Sequence, residues 1–203
     1  MQQLLSPRLF RAFERSAYIH RNQVRKSTQI PYISHLAGVM CLCAQAGGHE
    51  DVLIAALLHD ALEDVPEEIS ASDIGVEFGT RVQALVELVT KDDSLPTWQE
   101  RADAYLSRLK VAPEEYQAEL WLLVLADKHY NLSSILYDPI ATQPEFWGRF
   151  RSTPTQQLWW YREVLQHSKP WVPRVLWEEY RTQVASFAEL VAEVSRELPG
   201  GIA

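Results

Sequence analysis

Residues 50–65 read EDVLIAALLHDALEDV, and the fold is decided in this stretch. The apolar body VLIAALL, 52–58, is hydrophobic on most faces of a helix, so that helix belongs in the centre of a bundle. It runs straight into His59, Asp60, Glu63 and Asp64. Charged groups at the end of a buried helix are an anomaly, because burying charge without a partner is costly. The pattern predicts one helix from about Glu50 to Asp64. At about 100° per residue, His59 and Glu63 share one stripe and Asp60 and Asp64 the next. One imidazole and three carboxylates then converge on a face at most about 140° wide.

Outward from this segment, helix signals recur and strand signals are nearly absent. A second strongly apolar body, LWLLVLA at 120–126, lies in a predicted helix from about Glu114 to Leu136. Asp127 and Asn131, four apart, share one of its faces. Ser6-Pro7 reads as the cap and first turn of a helix reaching about Val24, followed by a polar break from Lys26 to Ile30. Pro31 opens a helix that stops at Gly47-Gly48, and Pro66 with a polar stretch follows the central segment. Residues 79–90 place Val82, Leu85, Val86 and Val89 on one stripe. Pro96 starts a helix with Trp98, Ala102, Tyr105 and Leu109 inward. Thr153-Pro154-Thr155-Gln156 is a capping box with proline at the first helical position. The last helix sets Trp177, Tyr180, Val184, Phe187, Val191 and Val194 at spacings of three and four. That stripe serves either as a homodimer seam or as packing onto its own domain. The expectation is an all-α, single-domain bundle of about eight to ten helices over residues 1–203, with a motif core at 20–135 and C-terminal helices at 153–199. Asp138–Arg151 is the most loop-like stretch and is too short to separate two domains.

Composition narrows the class. At 203 residues, 47% hydrophobic and 23% charged, the chain matches an ordinary globular domain. A net charge of -8 argues against a general DNA or RNA binder, while leaving room for local positive charge around a phosphorylated small molecule. Cys41 and Cys43 are two apart on a helical pattern, so their side chains diverge; buried packing is expected of them, not a disulfide, and a reducing compartment with it. No apolar run approaches the roughly 20 residues that span a bilayer. Residues 1–10, MQQLLSPRLF, lack a signal-peptide core and cleavage site, so no membrane association and a cytoplasmic location are expected.

A divalent cation resolves the charge anomaly. Imidazole with carboxylate ligands suits Mn, Fe or Zn. His59 and Asp60 are adjacent ligands, Asp127 approaches from a neighbouring helix, and His35 lies one turn into the second helix. Each has an ordinary structural reading taken singly: an HD dipeptide is common, and a lone histidine or aspartate can be a hydrogen-bonded core residue. The four together, each beside an apolar helix body, are far more specific. Glu63 and Asp64, one turn beyond, are placed to orient a water and take its proton, and the pair is the catalytic expectation. Arg21, Arg25 and Lys26 precede His35; Arg21 and Arg25 read as sharing a helix face, the alternative being a solvated basic turn.

At these residues the sequence resembles the RelA/SpoT-type HD hydrolases, particularly the small alarmone hydrolases without a synthetase domain. The matching stretches are HRNQVRKSTQIPYISH at 20–35, AALLHDALEDV at 55–65, EFGTRVQALVELVTK at 77–91 and LADKHYN at 125–131, in family order and spacing. The resemblance implies a single HD domain that removes the 3′-pyrophosphate from guanosine tetra- or pentaphosphate, (p)ppGpp, with Mn2+, giving GDP or GTP and pyrophosphate. It implies metal ligation by His35, His59, Asp60 and Asp127 and a catalytic pair at Glu63 and Asp64. It implies nucleotide contacts at Arg25, Lys26, Ser27, Asn131 and Ser134, with Arg25 against the base and Asn131 near the ribose-phosphate. The chain departs from the family's DRLHN at Asp127-Lys128-His129-Tyr130-Asn131, and from its small or acidic step before PY at Gln29-Ile30. Both departures lie near the nucleotide and touch no expected metal ligand. Two other functions compete: an HD phosphohydrolase acting on another nucleotide, such as (p)ppApp, NADPH or a deoxynucleotide, and a non-catalytic nucleotide-binding regulator.

Overall fold

The computed structural model describes residues 5–26, 28–92 and 94–197. Eleven helical elements follow in order: α1 (Pro7–Ile19), α2 (Ile33–Gln45), α3 (Glu50–Leu58), α4 (Ala61–Asp64), α5 (Ala71–Phe78), α6 (Thr80–Val89), α7 (Trp98–Val111), α8 (Glu114–Leu136), α9 (Pro144–Trp147), α10 (Pro154–Ser168) and α11 (Arg174–Glu197). α4 and α9 are four-residue turns, so nine longer helices build the bundle. Among the described residues there is no strand beyond the isolated bridge of Val24 with Pro31, and no helix is long and apolar enough to cross a membrane.

The two apolar bodies form the centre. On α3, Val52 and Ile54 through Leu58 have no exposed surface. This helix packs against α1, α2, α6 and α8. On α8 every residue from Gln117 to Lys128 is buried except Ala118. Helix starts are fixed locally. Ser6 accepts a hydrogen bond from the Leu9 amide, and capping boxes at Ser70–Asp73, Thr97–Glu100 and Thr153–Gln156 satisfy amides that a helix start leaves unpaired.

The structure departs from the sequence expectations in several places. α1 ends at Ile19 rather than Val24, which instead bridges to Pro31. The Arg25 amide donates to the Ile30 carbonyl and the Tyr32 amide to the Gln23 carbonyl. Arg21 and Arg25 therefore do not share a helix face: Arg21 is drawn outward to Glu68 at 2.8 Å. The predicted helix at 50–64 is broken at its histidine. His59 Nδ1 lies 2.8 Å from the Ala56 carbonyl oxygen, and Asp60 takes φ -95°, ψ 0° before α4 begins. α5 was not anticipated, although Ser70 three before Asp73 and Ile74 four before Phe78 are its cap and its inward face. Gly79, at φ 93°, then turns the chain into α6. Cys43 is buried as expected, Cys41 is exposed, and both are free.

The C-terminal stripe packs onto its own domain. Tyr180, Val184, Phe187, Val191 and Val194 are all buried, and α11 lies against α8 and α10. Phe187 meets Trp147 and Tyr161 at ring-centroid distances of 6.0 and 5.3 Å. Of the two readings of that stripe, homodimer seam or own-domain packing, these contacts follow the second. The loop-like stretch after Asp138 is also tied down: Ala141, Phe146 and Trp147 are buried, and the Trp147 indole donates to the Ala141 carbonyl at 2.9 Å.

Candidate functional site

α2, the α3–α4 break and α8 bring His35, His59, Asp60 and Asp127 to one point. His35 Nε2 and His59 Nε2 are 3.3 Å apart. His35 Nε2 lies 3.4 Å from Asp60 Oδ2 and 3.3 Å from Asp127 Oδ1. His59 Nε2 lies 3.1 and 3.8 Å from the same oxygens. Ligands on neighbouring octahedral positions at roughly 2.1 Å from an ion stand about 3 Å apart, so His35, His59 and Asp127 fit one divalent cation, with Asp60 against both imidazoles. Both imidazoles are almost wholly buried. His59 Nδ1–H donates to the Ala56 carbonyl, which turns Nε2 toward the cluster. His35 is held by rings instead: Tyr32 and Tyr130 flank it at 5.4 and 5.2 Å, and its Nδ1 has no hydrogen-bond partner among the described residues.

The electrostatics suit a cation. Burial alone would disfavour charge on His59, yet Asp60 and Asp127 outweigh it and push the imidazole up to about 10. Burial would raise the carboxyls of Asp60 and Asp127. The histidines hold Asp60, and Lys128 with both histidines holds Asp127, well below the usual carboxylate range. A centre whose negative potential retains protons this firmly is one where a dication can replace them. Outer contacts fix the oxygens: the Tyr32 hydroxyl donates to Asp60 Oδ2 at 2.6 Å, and Asn131 Nδ2 donates to Asp127 Oδ1 at 2.6 Å. The Lys128 ammonium pairs with the other oxygen of Asp127.

Glu63 and Asp64 are brought beside this centre in different settings. Glu63 is paired with Lys91 at 3.3 Å. Asp64 accepts from Gln23 Nε2 at 2.7 Å, and Gln23 Oε1 in turn meets His20 Nδ1 at 2.5 Å. Burial, then the nearby Asp60 charge, raise the Asp64 carboxyl above its ordinary value.

A cavity of about 710 Å³ opens next to the cluster. Six of its lining residues are cationic: Arg25, Lys26, Lys91, Arg101, Lys128 and Arg149. Arg25 donates to Asn131 Oδ1 at 3.1 Å and to Ser134 Oγ at 3.2 Å, and its guanidinium lies over the Tyr130 ring at 5.6 Å. Arg25, Asn131 and Ser134 are thus one group. Lys26 stands apart, over the Phe150 ring at 5.8 Å, but lines the same cavity. Ser27, also expected here, lies outside the described residues. Sequence reasoning missed Tyr32, Gln23, Lys91, Lys128 and Tyr130. Tyr32 and Gln23 lie inside the quoted stretch at 20–35, and Lys128 and Tyr130 inside 125–131, so adjacency to the motifs was the available signal.

The model of the HD domain family matches residues 12–145 of this sequence. The chain belongs to the HD domain family. Within that family it stands with the RelA/SpoT-type hydrolases. This HD domain protein is 35% identical over 147 residues to the human guanosine-3′,5′-bis(diphosphate) 3′-pyrophosphohydrolase MESH1, across 70% of this chain and 75% of the relative. The Danio rerio protein of the same name is 37% identical over 136 residues, across 65% of this chain and 69% of the relative. The HD bundle also superposes on a solved structure described as a metazoan ortholog of SpoT that hydrolyzes ppGpp, with a TM-score of 0.75 and 28% identity, across 91% of this chain and 98% of that one.

Proposed function

We propose that this HD domain protein hydrolyses the 3′-pyrophosphate of (p)ppGpp, releasing pyrophosphate and leaving GDP or GTP, with Mn2+ as its metal. The observation that carries this reading is the His35–His59–Asp127 group, with Asp60 against both histidines, beside a cavity lined by six cations. A polyanionic nucleotide is the ligand class that such a wall accommodates. The named activity of the human and zebrafish relatives supports the same substrate.

The two histidines and two aspartates hold the cation. When bound, it supplies Lewis-acid polarisation of a phosphoryl oxygen and makes water a better nucleophile near neutral pH. Asp64, with its raised carboxyl and its Gln23 contact, is the proton acceptor for the attacking water. Glu63, held by Lys91, orients that water. Water forms a bond to the phosphorus carried by the 3′ oxygen, the bond from that phosphorus to the 3′ oxygen breaks, and the 3′ oxygen takes up a proton. Lys91 and Lys128 place positive charge beside the departing pyrophosphate. Arg25, stacked over Tyr130 and bonded to Asn131 and Ser134, presents a flat cationic surface to the base, and Lys26 lines the same cavity.

The test is a nucleotide panel assayed with Mn2+ and other divalent ions, with released pyrophosphate and phosphate measured separately. Pyrophosphate and GDP from ppGpp are expected. No pyrophosphate from ppGpp, with turnover of an adenosine alarmone, NADPH or a deoxynucleotide, would overturn the substrate. Binding of ppGpp without any turnover would instead favour a regulator.

A further inference from the structure

Gln157 sits on the face of α10 that carries Trp160 and Tyr161, three and four residues on, and all three line the cavity. It is 7% exposed, and its amide nitrogen is buried with no hydrogen-bond partner among the described residues. A buried donor left unpaired is unfavourable, and the side chain that carries it lines the cavity, so an acceptor on a ligand bound there can relieve it once the carboxamide turns toward it. We infer that Gln157 hydrogen-bonds the edge of the purine base and so determines base selectivity, an inference that rests on the cavity being the nucleotide site.

The chemistry of the wall separates base from phosphate. Phosphate oxygens only accept hydrogen bonds, and besides Arg25 and Lys26 four cationic side chains, Lys91, Arg101, Lys128 and Arg149, line the cavity to meet them. A base edge presents donors and acceptors side by side, and a carboxamide matches it with one of each. Among the described residues the cavity wall holds one other carboxamide, Asn131, and both ends of that group are engaged: Nδ2 by Asp127 and Oδ1 by Arg25. Gln157 is the amide still available. Its neighbours Trp160 and Tyr161 offer ring surface against which a purine can lie.

The inference is tested with Gln157→Leu, and with Gln157→Met as a second apolar variant of nearly the native length should the first not fold. Dissociation constants for GDP and for inorganic pyrophosphate, which has no base, are measured by calorimetry without divalent metal. KM and kcat are then measured for ppGpp and ppApp with Mn2+. The expected result is GDP binding weakened roughly tenfold while pyrophosphate binding stays within about twofold. KM for ppGpp rises with kcat little changed, and the ratio of kcat/KM between the two alarmones moves toward one. Equal weakening of GDP and pyrophosphate would overturn the inference in favour of a phosphate contact, and unchanged GDP binding would overturn it outright. Wild-type protein that binds GDP but leaves ppGpp intact would defeat the proposed hydrolysis and leave the Gln157 comparison standing on the binding data.

Discussion

Asp127 makes more of the site than any other single residue. One oxygen faces both histidines and accepts from Asn131, and the other pairs with Lys128. Asp127→Asn keeps the shape but removes one of the two charges, after that of Asp60, that push His59 up to about 10. Metal content measured by mass spectrometry should fall, and turnover should drop by a factor on the order of 100 or more. Gln23 tests a different function. It joins His20 to Asp64, and its side chain hydrogen-bonds to none of the four cluster residues. Gln23→Leu should lower kcat roughly tenfold and leave KM and bound metal nearly unchanged, since only the orientation of Asp64 is disturbed. A loss of metal in that variant would show that Gln23 supports the cluster instead. Asp64 and Glu63 were legible as a pair. Their different partners, Gln23 and Lys91, were not, because both partners are distant in sequence and come from other elements.

At the scale of elements, α2 and α8 must approach closely for His35 and Asp127 to meet. Gly38, one turn after His35, makes this possible: a β-carbon there would stand 2.0 Å from the Tyr130 ring. Gly38→Ala should therefore push Tyr130 away from His35 and from Arg25. Overpacking of this kind costs about 1–3 kcal/mol, measured by denaturant unfolding, and here it should also raise KM for ppGpp. Unchanged stability with unchanged KM would mean that the ring moves without consequence. The break between α3 and α4 belongs to this scale too. A continuous helix was the natural reading of residues 50–64, since no proline or glycine interrupts them. The break arises where the His59 ring takes the Ala56 carbonyl, a side-chain contact that periodicity does not register.

For the whole molecule, the C-terminal helices complete both core and cavity. Tyr180 and Phe187 are fully buried, Trp160 lies 5.7 Å from the Lys128 ammonium, and Gln157, Trp160 and Tyr161 form one wall of the cavity. A chain ending at residue 152 loses α10 and α11. It should show no cooperative thermal transition by circular dichroism, even though it retains all four cluster residues. A truncated chain that melts cooperatively and binds metal would show that the motif core folds alone. The sequence by itself determined the all-helical class, the two apolar helices at the centre and the identity of the residues that meet there. Helical periodicity is a local property, and charge beside an apolar run is visible without coordinates. Only the tertiary structure decided where the helices stop, that the last apolar stripe is satisfied within one chain, and that Tyr32, Lys128 and Gln157 face the site. Those outcomes depend on which side chains fill shared space and which polar groups find partners across elements, and neither is written in spacing along the chain.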